Sequence, residues 1–274
     1  MNETIKSKFK ELKVVGQRFA IGEAEKRQKD LMLIDYLKSV IQNGEVCDFE
    51  DIGFCFWNIS DNYALLKDGQ GLFENHKAFY NFLKPQNTEY LYWLCCDATQ
   101  RFTLEKDGYC EFWWEIYKTA VQENKAINTI AEYHAHRTAL TVSPVLKMSK
   151  ENLEFTLNSI KNFLAKQQGA ADFPFYNAIF YIMQSRFTKD TKDILKYSKP
   201  FFNKLNGNKG NSFLCGEWKN YITPIDESKQ ANLVLNTAVN TLIYESKHGE
   251  AKELYYLALE YGLPKNNYIE KRLG

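Results

Sequence analysis

The stretch FEDIGFCFWNISDNYALL, residues 49–66, decides the fold class of this 274-residue chain. Phe49, Ile52, Phe56, Ile59, Tyr63 and Leu66 are spaced 3-4-3-4-3, which is one face of an amphipathic helix. The rival reading makes strands of Phe54 to Ser60 and Tyr63 to Leu66. Phe-Cys-Phe-Trp is rich in strand formers, and Asp-Gly is a turn signal. The helical run is longer than any alternation. The expected class is therefore all-α, with antiparallel helical hairpins packed as an array or bundle. The alternative is an α+β N-terminal half over residues 45–125, followed by a helical C-terminal half.

Upstream, residues 3–42 read as helix through Ile5, Phe9, Leu12 and Phe19, then Leu31, Ile34, Leu37 and Ile41. Gly16 and Gly22 predict a kink or break, and Asn43-Gly44 a stop. Downstream, the Lys67 to Gly71 segment breaks the chain before a face of Leu72, His76, Phe79 and Leu83 that ends at Pro85. The plan then recurs: Leu91, Leu94, Cys95, Ala98 and Phe102 precede Lys106-Asp107-Gly108, and Phe112, Ile116 and Ala120 follow. Superposing the two Lys-Asp-Gly breaks sets Ile52 on Leu91, Phe56 on Cys95 and Phe73 on Phe112, an offset in the range of helical-hairpin repeats.

Residues 125–142 carry Ile127, Ile130, His134 and Leu140 and read as helix; Thr141-Val142-Ser143-Pro144 marks a boundary. Ser149 caps a helix with Leu153, Leu157, Ile160 and Leu164. Pro174 stands in the first turn of a helix facing inward with Phe175, Ile179, Ile182 and Met183. Asp190 is expected to cap a helix with Ile194 and Tyr197, and Pro200 to divide it. Asn206 to Asn211 is a loop. Asp226 opens a long helix with Leu233, Leu235, Ala238, Leu242 and Ile243; His248-Gly249 breaks it. Leu254, Leu257 and Ala258 build the last expected helix, which Gly262-Leu263-Pro264 ends. The expected division is 1–145, an aromatic-rich N-terminal helical part, and 146–274, a C-terminal helical part, together able to form one continuous domain.

Composition bounds the function. Net charge is +1, from 35 basic and 34 acidic residues, which does not suit a nucleic-acid binder. Only Arg18, Arg27, Arg101, Arg137, Arg186 and Arg272 are arginine; the lysine excess reads as solvated helix surface. Cys47, Cys55, Cys95, Cys96, Cys110 and Cys215 include no C-x-x-C pair. With no leader pattern and no apolar run long enough for a membrane, the expected setting is cytoplasmic and reducing, without a membrane partner.

Two constellations carry chemical interest. Glu132-Tyr133-His134-Ala135-His136-Arg137 contains a histidine pair. On a strand both rings would share a face and could hold a metal. On a helix they point about 200° apart, and only Glu132 and His136 could cooperate. The expectation is histidines at a packing edge, with no metal ligand. The second is the aromatic cluster around Trp57, Trp93, Trp113 and Trp114, with Arg101 as an anion anchor. Aromatic residues usually form core. Trp113 and Trp114 are adjacent, so a narrow stripe cannot bury both, and one is expected to line a pocket or patch.

No Gly-x-Ser-x-Gly elbow or phosphate loop is present, and no catalytic residue or cofactor is assigned. The leading expectation is a non-enzymatic protein-interaction or regulatory protein using a helical surface, with a protein partner. Its candidate binding residues are Trp57, Trp93, Arg101, Trp113 and Trp114. The second is a small-molecule sensor with an aromatic-lined pocket in residues 49–117. The third is a metal-dependent hydrolase using His134 and His136.

Overall fold

A computed structural model describes residues 3–13, 22–86, 90–98, 108–123, 129–141, 148–205, 226–263 and 265–274. Arg101, Phe102, Cys215, Gly16, Ile127, the Val142 to Pro144 boundary and the 206–211 loop lie outside the described residues. Among the described residues all regular structure is helical. The chain divides into two compact units, Met1–Ile127 and Asn128–Gly274. The helix over residues 129–141 thus belongs with the second unit, although the sequence-based division at 145 groups it with the first.

The first unit contains α1 (Glu3–Leu12), α2 (Glu23–Gln42), α3 (Phe49–Leu66), α4 (Gly69–Leu83), α5 (Tyr90–Asp97) and α6 (Tyr109–Glu123). Consecutive helices pack on one another: α1 on α2, α2 on α3, α3 on α4, α4 on α5 and α5 on α6. The decisive stretch is therefore helix α3. Asp48 caps it, its carboxylate accepting from Glu50 N at 2.9 Å and Asp51 N at 3.3 Å. Lys67, in the left-handed region at φ 56°, ends it.

Every residue from Cys55 to Ser60 is buried, not only the 3-4 seam. The cause is position: α3 lies between α2 and α4, so two sides of it need apolar cover. That double burial is what gives Phe-Cys-Phe-Trp the look of a strand. Its buried amides are satisfied locally. Asn58 Nδ2 donates to Phe54 O, Asn62 Nδ2 to Asn58 O, and Asn75 Nδ2 to both Phe56 O and Ser60 Oγ.

The break after α3 is shorter than the Lys67 to Gly71 motif suggests. Asp68 caps α4 by accepting from Gly71 N at 2.9 Å, so both glycines are helical. Gly71 has a packing reason: a Cβ there would stand 2.2 Å from Tyr63 Cε1. The Tyr63 ring cannot swing aside freely, because it is buried and its hydroxyl accepts from Lys38 Nζ at 2.7 Å. Gly71→Ala should cost about 1–3 kcal/mol as overpacking, although alanine is the better helix former. A lowered urea midpoint is the expected result; a raised one would show that helix propensity outweighs the contact.

The second unit contains α7 (Thr129–Thr141), α8 (Lys150–Lys166), α9 (Phe173–Thr188), α10 (Ile194–Ser198), a 3-10 turn at Lys199–Lys204, α11 (Glu227–Tyr244), α12 (His248–Glu260) and α13 (Asn267–Leu273). α11 is central, packing against α9, α10, the 3-10 turn, α12 and α13. Ser149 and Asp226 cap α8 and α11 as the sequence indicates, accepting from Asn152 N and Lys229 N. Gly262 closes α12 at φ 97°, with Leu263 N bonded to Ala258 O and Gly262 N to Leu259 O.

Four expectations shift. The fully buried seam of α8 runs through Thr156, Ser159, Ile160 and Phe163; Leu164 packs partly buried against the same core, and Leu153 and Leu157 are only partly buried. Thr156 and Ser159 can be buried because their hydroxyls bond back to Asn152 O and Phe155 O. The cap of α10 is Asp193 rather than Asp190. The break after α11 is Glu245 to Lys247, with Ser246 at φ 61°, and His248-Gly249 opens α12. Finally, α13 follows the expected last helix, capped by Asn266 accepting from Tyr268 N and Ile269 N.

Candidate functional site

A cleft of about 500 Å³ opens in the second unit. Four helices wall it, mostly through residues three or four apart. α7 supplies Arg137 and Thr141; α9 supplies Met183 and Arg186; α13 supplies Tyr268 and Arg272. α11 supplies Leu233, Asn236, Thr237, Asn240 and Tyr244. Residues at this spacing share a helix face. Half of the chain's six arginines thus meet in one cavity, and no carboxylate lines it.

Arg186 is partly buried and held from one side: its Nε donates to Thr241 Oγ1 at 3.1 Å. Its terminal nitrogens have no protein acceptor among the described residues. Burial pulls its pKa below the ordinary arginine value; Tyr244 and Glu245 oppose this, and the like charges of Arg272 and Arg137 add to it. The guanidinium stays charged. Arg272 Nη1 donates to Asn240 Oδ1 at 3.2 Å, and Asn240 Nδ2 donates to Asn236 O at 2.9 Å, which fixes that amide's orientation. Arg186 Cζ lies 5.6 Å from the Tyr244 ring centre, and Arg272 Cζ lies 5.4 Å from that of Tyr268. Neither arginine pairs with a carboxylate among the described residues. Arg186 and Arg272 thus bring forked hydrogen-bond donors to one cleft, each oriented by a neighbouring polar side chain.

The four tryptophans singled out by sequence lie elsewhere, and Arg101 is outside the described residues. Trp57 on α3, Trp93 on α5 and Trp113 and Trp114 on α6 are all buried. Trp113 and Trp114 meet edge to face with ring centres 5.0 Å apart, whereas Trp57 packs on Phe79. The expectation that one of the adjacent pair stays uncovered is not met, for they are 0% and 6% exposed. α6 has neighbours on two sides. Trp113 Nε1 donates to Cys95 O of α5 at 2.9 Å, while Phe112 packs on Phe73 of α4. A buried polar set ties the same helices together. His76 Nδ1 lies 3.1 Å from Tyr109 Oη, His76 Nε2 lies 2.9 Å from Asp97 Oδ2, and Tyr109 Oη donates to Ala98 O. His76 is fully buried.

His134 and His136 lie on helix α7 and are buried. His136 Nε2 is 3.5 Å from Glu132 Oε1, as helical spacing requires. Among the described residues, no three His, Cys, Asp or Glu side chains could hold one metal ion. Burial, with Arg137 adding like charge, holds the His134 pKa well below the ordinary histidine value. Burial lowers that of His136 against the raising pull of Glu132. Both rings therefore fold neutral. As pH falls through about 6.5 the unfolded chain takes up protons that the folded chain refuses, so stability present above that value is lost below it. The urea midpoint should fall between pH 7 and pH 5, and His134→Gln should flatten the fall. Identical pH profiles for both proteins would show that His134 does not contribute.

No protein-family model, curated protein or solved structure matches this chain. The cleft's residues and their geometry are therefore the grounds for a functional reading.

Proposed function

We propose that this is a non-enzymatic binding and regulatory protein that takes up a small anionic molecule in the three-arginine cleft. One observation carries the reading: Arg186 and Arg272 line one cavity with Arg137, and neither Arg186 nor Arg272 pairs with a carboxylate among the described residues. Leaving such charges unbalanced destabilises the folded chain unless an anion completes the site. The lining is Arg, Asn, Thr, Tyr, Met and Leu. None of these is a usual general base at neutral pH, which favours binding over catalysis. The sensor function expected from residues 49–117 thus moves to the second unit, and a protein partner would read out occupancy. A cytoplasmic setting fits the free thiols of Cys47, Cys55 and Cys95. Among the described residues no helix is long and apolar enough to cross a membrane.

Thermal unfolding of the full chain at low salt, with and without pyrophosphate, tests the reading. A ligand at a hundred times its Kd stabilises by about 2.7 kcal/mol. A rise in Tm with pyrophosphate, absent with sodium chloride at equal ionic strength and reduced in Arg272→Met, is the expected result. Equal shifts from both salts would reduce the cleft to a general charge effect.

A further inference from the structure

We infer that the ligand of this cleft joins an aromatic ring to a phosphate chain, as a nucleoside diphosphate does. The inference rests on the anion-binding reading above and adds the ring. Tyr244 and Tyr268 line the cleft and are 60% and 66% exposed, the highest values among the large hydrophobic side chains described. Each has an arginine of the site beside it, Arg186 at 5.6 Å and Arg272 at 5.4 Å. A guanidinium at one side of a tyrosine polarises the ring and holds it in place. An exposed and positioned ring is a stacking platform, and bases stack on such platforms whatever their sequence.

The neighbouring charges point the same way. Lys189 Nζ also lies near Tyr244, at 6.0 Å, but Glu245 pairs with it at 2.9 Å. Lys189 has a direct carboxylate partner, whereas neither Arg186 nor Arg272 has one within ion-pair distance among the described residues. A ligand therefore meets cations and aromatic surface in the same cleft. Asn236 and Thr237 on the α11 wall add neutral polar groups to the same lining, suited to sugar hydroxyls or a base edge. The volume of about 500 Å³ lies within the range of small-molecule sites. An inorganic anion would use the arginines alone and leave the tyrosines without a role.

Calorimetric titration of the full chain with ADP, pyrophosphate and phenyl phosphate tests this directly. ADP should bind about tenfold more tightly than pyrophosphate, in the range that base stacking supplies. Tyr268→Leu and Tyr244→Leu change exposed residues and should leave the fold intact. They should narrow the gap by weakening ADP while leaving pyrophosphate unchanged. Equal affinity for ADP and pyrophosphate would overturn the inference and keep the anion site. Phenyl phosphate binding as tightly as ADP would overturn it in favour of a phosphoaryl group, such as one borne on a peptide. An ADP preference that survives both tyrosine variants would also overturn it. Binding of none of the three would remove the anion-binding reading together with the inference.

Discussion

Replacing Arg186 with Met will lower pyrophosphate affinity roughly tenfold to a hundredfold, yet leave the chain folded and within about 1 kcal/mol of its original stability. The first half follows from the size of hydrogen bonds to charged groups, about 1.5–3 kcal/mol, with about 1.4 kcal/mol for each factor of ten. Arg186 is constrained on one side, with Nε committed to Thr241 and its terminal nitrogens lacking a protein acceptor among the described residues. The second half follows from opposed terms. The substitution loses one hydrogen bond, worth about 1 kcal/mol. It also removes a partly buried cation from the field of Arg137 and Arg272, whose like charges already disfavour it. Met keeps much of the apolar stem. An arginine retained for folding behaves in the opposite way: its loss would lower the urea midpoint by several kcal/mol and leave affinity alone. Calorimetry and urea unfolding on the same preparations separate the two.

Trp113→Ala will destabilise the chain by about 3–5 kcal/mol, the usual cost of deleting a large buried aromatic side chain. Trp113 is fully buried, stacks on Tyr117 with ring centres 5.4 Å apart and donates to Cys95 O at 2.9 Å. Truncation leaves both a cavity and a carbonyl that has lost its donor. Leu65, which is 43% exposed, is the control; Leu65→Ala should move stability by no more than about 0.5 kcal/mol. If Trp113→Ala kept its unfolding midpoint but lost capture of a protein partner, the indole would be a recognition group and the packing account of α6 would fail.

The helices were legible where local chemistry and periodicity agree. Ser149 and Asp226 announce their caps, and Gly262 its stop, because these motifs act within one turn. The α8 seam was misread because hydroxyls that bond back along their own helix are buried as readily as leucine, and Thr156 and Ser159 do so. The double Trp at 113 and 114 was read against a single apolar face, whereas α6 is covered from two sides. α13 is only seven residues long and escaped notice, which hid the helix that brings Arg272.

The cleft itself could not be assembled from sequence. Arg137, Arg186 and Arg272 stand on three separate helices, and no local spacing links them. One trace was present. From Gln230 to Tyr244 there is no charged residue, and Asn236, Thr237, Asn240, Thr241 and Tyr244 recur at helical spacing. The exposed helix faces of this chain are otherwise rich in Lys and Glu, as along Glu23 to Lys29. An uncharged polar face in such a protein marks a surface distinct from its Lys- and Glu-rich ones.

The most direct test is diffraction from crystals of the full chain grown with pyrophosphate. The account predicts an anion in the cleft, within hydrogen-bond distance of the terminal nitrogens of Arg186 and against Arg137 or Arg272. An empty cleft at saturating pyrophosphate, or an anion bound only elsewhere, would contradict it.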